Sequence, residues 1–308
     1  MEIQAIQNTA LTAASLDSLY DRYIAYLDAS PKTIDTYTKA LRQFFNYLRE
    51  HSITNPVRED VLAYRKELES RLAAASVQSY IIAVRLFFRW TAQEGLYPNI
   101  ADHVKGAKVS KEHKKDYLNG KQVKAIIKNI KRDTPQGRRD YAIFVLMVTG
   151  GLRDIEVHRA NIEDLRTVGD STVLFLQGKG REDRADYVKI PPKTEEAIRA
   201  SLADRKGAKG EEPLFISLSN NSYGSRISTR SISKIAKETM KSSGYDSNRL
   251  TAHSLRHTAV TISLLQGNSL EEARQFARHS NIATTMIYNH ALDREKNNCS
   301  NSIAKAIF

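Results

Sequence analysis

The stretch His279-Ser-Asn-Ile-Ala-Thr-Thr-Met-Ile-Tyr288 places a tyrosine nine residues after a histidine, in a segment that also carries Ile282, Met286 and Ile287. Upstream, His253-Ser-Leu-Arg-His257 sets His253 and Arg256 three apart, on one helical face. His257, four residues from His253, either joins them or turns to the core. Further upstream lie Thr149-Gly-Gly-Leu-Arg-Asp-Ile-Glu156 and Gly178-Lys-Gly180, the latter between two alternating segments, 171–177 and 187–191, that read as a β-hairpin. Each segment alone has a plain structural explanation. Arg153 pairs with Glu156 or Asp164, Lys179 is a solvated turn, His253 is a packing residue, and Tyr288 is a core ring with a tethered hydroxyl.

The rest of the chain narrows the choice. At 308 residues it exceeds the usual span of a single core, so two domains are expected. A formal net charge of +12 points to a polyanionic partner, because neutralising phosphates releases their counterions. The single cysteine, Cys299, excludes an internal disulfide framework and a thiolate metal cluster, which fits a reducing, cytoplasmic setting. The longest unbroken apolar run, Tyr141 to Val148, is too short to span a bilayer, so no membrane association is expected. The sequence lacks a GxxxxGK[ST] loop, the mark of many ATPases.

Residues 16–106 read as four amphipathic helices. The first has Leu16, Leu19, Tyr20, Tyr23, Ile24 and Leu27 at helical spacing. The second starts after Pro31, the third near Arg58, and the fourth runs from about Ser76 to Gly95. Between Lys105 and Tyr117, five lysines stand against two acids with almost nothing apolar, the composition of a solvated connector. Helices are expected over 120–131 and 138–149, then the hairpin, then helices to the end. This divides the chain into an extension at 1–15, a helical domain at 16–106, a basic linker at 107–117, a second domain at 118–291 and a tail at 292–308.

In order, spacing and wording, the four chemistry-bearing segments resemble the tyrosine recombinase family, also called phage integrases, and the resemblance covers nearly the whole chain. It implies a mainly α fold with a small β-sheet: a helical-bundle core-binding domain of SAM-like type followed by a catalytic domain. It also implies a catalytic set of Arg153, Lys179, His253, Arg256, His279 and Tyr288. Tyr288 would be the nucleophile of a 3′-phosphotyrosyl intermediate, Lys179 the acid for the departing 5′ oxygen, and His279 a hydrogen-bond partner of the scissile phosphate. The expected partners are double-stranded DNA and further copies of the chain, in a tetrameric synapse of two dimers on DNA, with the tail exchanged between protomers or packed on its own domain. No cofactor and no metal are expected.

The chemistry accounts for that inventory. Attack by a phenolic oxygen on a phosphodiester builds negative charge on the non-bridging oxygens, and two planar guanidinium groups receive it with a geometry lysine does not copy. Three departures from the family pattern stand out. An extra glycine lies between Thr149 and Arg153, the position before His279 is Arg278 where glycine is common, and the stretch from Lys179 to Pro191 is long and holds other cations, Arg181, Arg184 and Lys189. Rival readings are a DNA-binding module without the reaction, a topoisomerase using the same tyrosine chemistry, and a metal hydrolase built on His253 and His257 with His279 or His290.

Overall fold

The computed structural model describes residues 13–108, 116–177, 183–288 and 298–307. It divides into two compact units, Met1–Lys111 and Glu112–Phe308.

The first unit is a bundle of four helices: α1 (Ala13–Tyr26), α2 (Pro31–Glu50), α3 (Arg58–Arg71) and α4 (Ala74–Gln93). The start of α2 is set by the Ser30 hydroxyl, which accepts from the Thr33 amide, with Pro31 in the first turn where its missing N–H costs nothing. Val57 precedes α3, and its amide donates to Asp60 Oδ2 at 2.7 Å. Past α4, Gly95 takes φ +68°, a left-handed geometry that ends the helix. The apolar face of α2 meets α4 in an aromatic core, with Phe44 and Phe88 edge to face at 5.8 Å and Tyr23 and Phe87 at 5.4 Å.

The second unit is built around α6 (Pro135–Gly150), after α5 (Gly120–Asn129). The apolar run 141–148 has no polar face to offer water, and Ala142 through Val148 are all buried. Around α6 pack α8 (Pro192–Leu202), α9 (Thr229–Ser242) and α10 (Ala252–Leu265). The short α7 (Asp154–Arg159), α11 (Leu270–Ala277), helical residues 282–288 and α13 (Cys299–Ile307) complete the helices described, with 282–288 taken as α12.

The β-structure has one more strand than the expected hairpin. Strands β1 (Leu165–Val168), β2 (Ser171–Leu176) and β3 (Asp186–Lys189) form an antiparallel sheet in that order. The β1–β2 turn is Gly169-Asp170 with Gly169 at φ +57°, a two-residue turn of the kind that suits a hairpin. β1 leaves no alternating apolar signature in the sequence, because it is short and only Leu165 of its four residues is partly buried. β2 and β3 pair from Val173↔Lys189 to Leu176↔Asp186, so the connection between them starts at Gln177. Residues 178–182, including Lys179 and Arg181, lie outside the described residues, as do His290, most of the basic linker and the start of the tail.

Candidate active site

Arg153 stands immediately before α7. Its amide donates to Glu156 Oε2 and its guanidinium Nη1 to Glu156 Oε1, both at 2.8 Å, so one carboxylate clamps both the backbone and the side chain. Asp164, the other partner considered for Arg153, is engaged by Arg184 instead. Glu156 is buried, and burial pushes its carboxyl up. Arg278, the Arg153 amide and guanidinium, and Arg256 outweigh that and hold it below its ordinary range.

Arg256 is only 1% exposed, on the inward face of α10. Its Nη1 donates to the Gly151 carbonyl at 2.6 Å and its Nη2 to the Ala277 carbonyl. Burial, and repulsion from Arg153 and Arg278, push it down to about 9, so it remains a cation at neutral pH. His253, one turn before Arg256, is exposed and shares an open cavity of about 490 Å³ with Arg153, Ser233, Lys237 and Thr251.

Tyr288 is the last described residue of the helical stretch that begins at 282 and is 6% exposed, packed with Val260, Ala273 and Ala277. Its ring lies 4.9 Å from that of His257 and 6.2 Å, nearly parallel, from that of His279. His257 in turn meets His253 edge to face at 4.7 Å. Burial pushes the Tyr288 phenol up, while Arg256 and Arg153 pull it down without overcoming burial. His279 Nδ1 is 2.9 Å from the Thr285 hydroxyl. Burial and then Arg256, Arg153, Arg278 and His253 push its imidazole down to about 4, so it is neutral across the physiological range.

Arg153, His253, Arg256, His279 and Tyr288 therefore gather in one region of the second unit, while Lys179 lies outside the described residues. Two residues there were not singled out as site residues from the sequence. His257 turns its ring toward Tyr288, which spacing had left open. Lys237, on α9, donates to the Ser247 carbonyl at 2.5 Å and lines the cavity. Nothing in the sequence around Lys237 distinguishes it from the other lysines of that amphipathic helix. Chemically, two guanidinium groups, the neutral His279 imidazole and a phenol make a site for a phosphate oxyanion. Among the described residues, no group of three His, Cys, Asp or Glu side chains is placed to hold a metal ion.

The depressed His279 pKa gives a stability prediction. Its folded value lies below the unfolded one, so the unfolded chain binds the proton first, and stability is lost as pH falls from about 6.5 toward about 4. The loss is expected to reach roughly 2–3 kcal/mol. Urea unfolding at pH 7.5 and pH 4.5 should show it, and His279→Gln should reduce it by about that amount.

The extra glycine of the first segment also finds its place. Gly150 is the last residue of α6, and Gly151 caps the helix at φ +57°. A Cβ on Gly150 meets Leu152 Cγ at 3.4 Å, whereas on Gly151 it meets Phe276 Cε1 at 2.8 Å. Gly150→Ala is expected to stabilise by up to about 1 kcal/mol. Gly151→Ala should cost at least about 1–2 kcal/mol, and thermal melts of the two variants should move in opposite directions.

Comparison with known proteins matches this architecture. The profile of the phage integrase family matches residues 116–295, and that of the phage integrase N-terminal SAM-like domain matches residues 18–95. The chain belongs to the phage integrase family, the tyrosine recombinases. It is 26% identical over 292 residues to a tyrosine recombinase of Synechococcus elongatus, covering 90% of each chain. It is 31% identical over 221 residues to tyrosine recombinase XerC of Actinobacillus pleuropneumoniae, covering 71% of this chain and 69% of that one. In fold it is similar to the XerH site-specific recombinase in its post-cleavage complex with difH, with a TM-score of 0.72, 18% identity, and coverage of 96% of this chain and 85% of that one. It is likewise similar to a lambda integrase dimer bound to a COC′ core site, with a TM-score of 0.69, 16% identity, and coverage of 87% and 96%. The mainly helical fold with a small sheet thus agrees with what the sequence resemblance implied.

Proposed function

We propose that this chain carries out site-specific DNA recombination by cutting and rejoining strands through a 3′-phosphotyrosyl link to Tyr288, without metal ion or ATP. The observation that carries this reading is the meeting of Arg153, Arg256, His253 and His279 about the Tyr288 ring. In it, Arg153 and Arg256 receive the non-bridging oxygens of the scissile phosphate, a task otherwise done by a bound cation. Neutral His279 hydrogen-bonds the same phosphate, and His253 assists proton removal from the phenol. Lys179 protonates the 5′ oxygen as it leaves. The phosphotyrosyl ester conserves the energy of the phosphodiester, so a 5′ hydroxyl from another strand reseals the backbone with no nucleotide hydrolysed.

The DNA-bound relatives support double-stranded DNA as partner, and a tetrameric synapse of two dimers follows as the working assembly. Helix α13 exposes Ile303 at 59% and Ile307 at 68%, an apolar face that docking on a neighbouring protomer would cover. No described helix is long and apolar enough to cross a membrane, and action in the cytoplasm fits the reading.

The test is covalent capture. The chain, in excess chelator and without nucleotide, is incubated with nicked duplexes tiled across the DNA flanking its own gene. A detergent-resistant adduct at one defined position supports the reading, and its absence on every duplex overturns it. A 5′-bridging sulfur at that position should restore cleavage to Lys179→Ala, because a thiolate leaves without a proton. Failure to restore it would remove Lys179 from the acid role.

A further inference from the structure

The family pattern commonly has glycine before the histidine of this last segment, and the backbone explains the preference: Arg278 caps α11 at φ 53°, ψ 43°, where a side chain is strained. The side chain found there is not directed to solvent. It is 10% exposed, and its three hydrogen bonds go to atoms that matter to other residues. Nη2 reaches Glu156 Oε2 at 3.1 Å, and that carboxylate is the anchor of Arg153. The same Nη2 lies 3.2 Å from the Gly151 carbonyl, which also accepts from Arg256 at 2.6 Å. Nη1 donates to the Phe276 carbonyl at 2.8 Å and so fixes the guanidinium to its own turn.

We propose that Arg278 is a positioning residue: its guanidinium joins the Glu156 anchor of Arg153 to the Gly151 anchor of Arg256, and so fixes the spacing of the two guanidiniums that receive the phosphate. The inference rests on the function proposed above. Both terminal nitrogens of Arg278 are engaged by protein acceptors and the side chain is enclosed, its Nε buried without an acceptor, so the role argued for it is inward rather than toward DNA. A lysine there keeps the charge but not the fork, because an ammonium on a flexible stem does not hold acceptors on three segments in one plane. Arg278 also adds a third positive charge beside His279, in line with a neutral imidazole there.

Arg278→Gly is the informative variant, because glycine suits the left-handed cap and leaves the turn able to form. On the nicked duplex captured by the wild-type chain, its single-turnover cleavage at saturating protein should fall about 10- to 100-fold, the scale of a small misplacement of reacting groups. The half-saturating protein concentration should stay within about twofold, and Arg278→Lys should not restore the rate. In the absence of DNA, and well below its thermal midpoint, the Nε–H resonances of Arg153 and Arg256 should broaden in Arg278→Gly. Wild-type cleavage rates in Arg278→Gly, a loss confined to DNA affinity, full rescue by lysine, or a loss that tracks a lowered melting point would each overturn the proposal. If the wild-type chain forms no adduct at all, the proposed function fails instead. The resonances then decide on their own whether Arg278 holds the two arginines, unchanged signals counting against it.

Discussion

Replacing Arg256 by lysine should lower the rate of strand cleavage by about 10²–10³ at saturating DNA, the cost of losing one preorganised donor to a developing oxyanion. The size of the effect follows from how the side chain is held. Its guanidinium spans the carbonyls of Gly151 and Ala277, so each terminal nitrogen is tied to the scaffold through one N–H and the group arrives already oriented. A lysine ammonium has no second arm with which to span both carbonyls, and it rotates about a flexible stem. Arg256→Ala should be worse in a different way. It leaves the Ala277 carbonyl without this donor, the Gly151 carbonyl with only the longer bond from Arg278, and a cavity where the largest fully buried side chain among the described residues stood, a destabilisation of about 3–5 kcal/mol. Urea denaturation separates the two cases: lysine should lose rate with a modest loss of stability, and alanine should lose both. A lysine variant that cleaves within a few-fold of wild type would show that this guanidinium does not receive the phosphate.

The parts of the fold that announced themselves were those governed by local periodicity. The apolar spacing of Tyr37, Leu41, Phe44, Phe45 and Leu48 is enough to define α2, and Pro31 with Ser30 defines where it begins. The three-residue spacing of His253 and Arg256 likewise implies a common helical face whatever the helix packs against. Other features depend on contacts far apart in sequence and left no local trace. The direction of His257 is set by Tyr288, which lies 31 residues away, and Arg184 is drawn to Asp164 across the sheet. Strand β1 escaped notice because its side chains alternate with no buried face to record the alternation. Arg278 is the instructive case. Its departure from glycine was visible, but whether it reached outward to DNA or inward depended on Glu156, 122 residues earlier.

That inward turn has an electrostatic consequence for the whole site. Three guanidinium groups surround one buried carboxylate, so the local charge stays positive after Glu156 has been neutralised. Burial first, and then repulsion from Arg153 and Arg278, push Arg256 down from its ordinary value, so enclosing this charge is costly. In the function proposed above, a phosphodiester entering the site would relieve this cost. The site is thus arranged to favour its charged ligand over an empty state, and more so as charge builds in the transition state.

Tyr288→Phe should abolish the covalent adduct on the captured duplex while leaving the protein folded and bound to DNA. The ring contributes the packing, against Val260, Ala273 and Ala277, and phenylalanine retains it, so the unfolding free energy should change by no more than about 1 kcal/mol. In the proposed reaction the hydroxyl is the nucleophile, and phenylalanine lacks it. Because burial holds the phenol above its ordinary range, the wild-type rate should climb with pH across the neutral region as the phenol becomes easier to deprotonate. Arg153 is one of the two cations pulling that pKa down. Removing it in Arg153→Gln therefore raises the phenol further, and the climb should move to higher pH in addition to the lowered rate. Gel quantification of the adduct from pH 6 to pH 9.5 tests both statements: an adduct persisting in Tyr288→Phe would assign the nucleophile elsewhere, and an unmoved profile in Arg153→Gln would separate that guanidinium from the phenol.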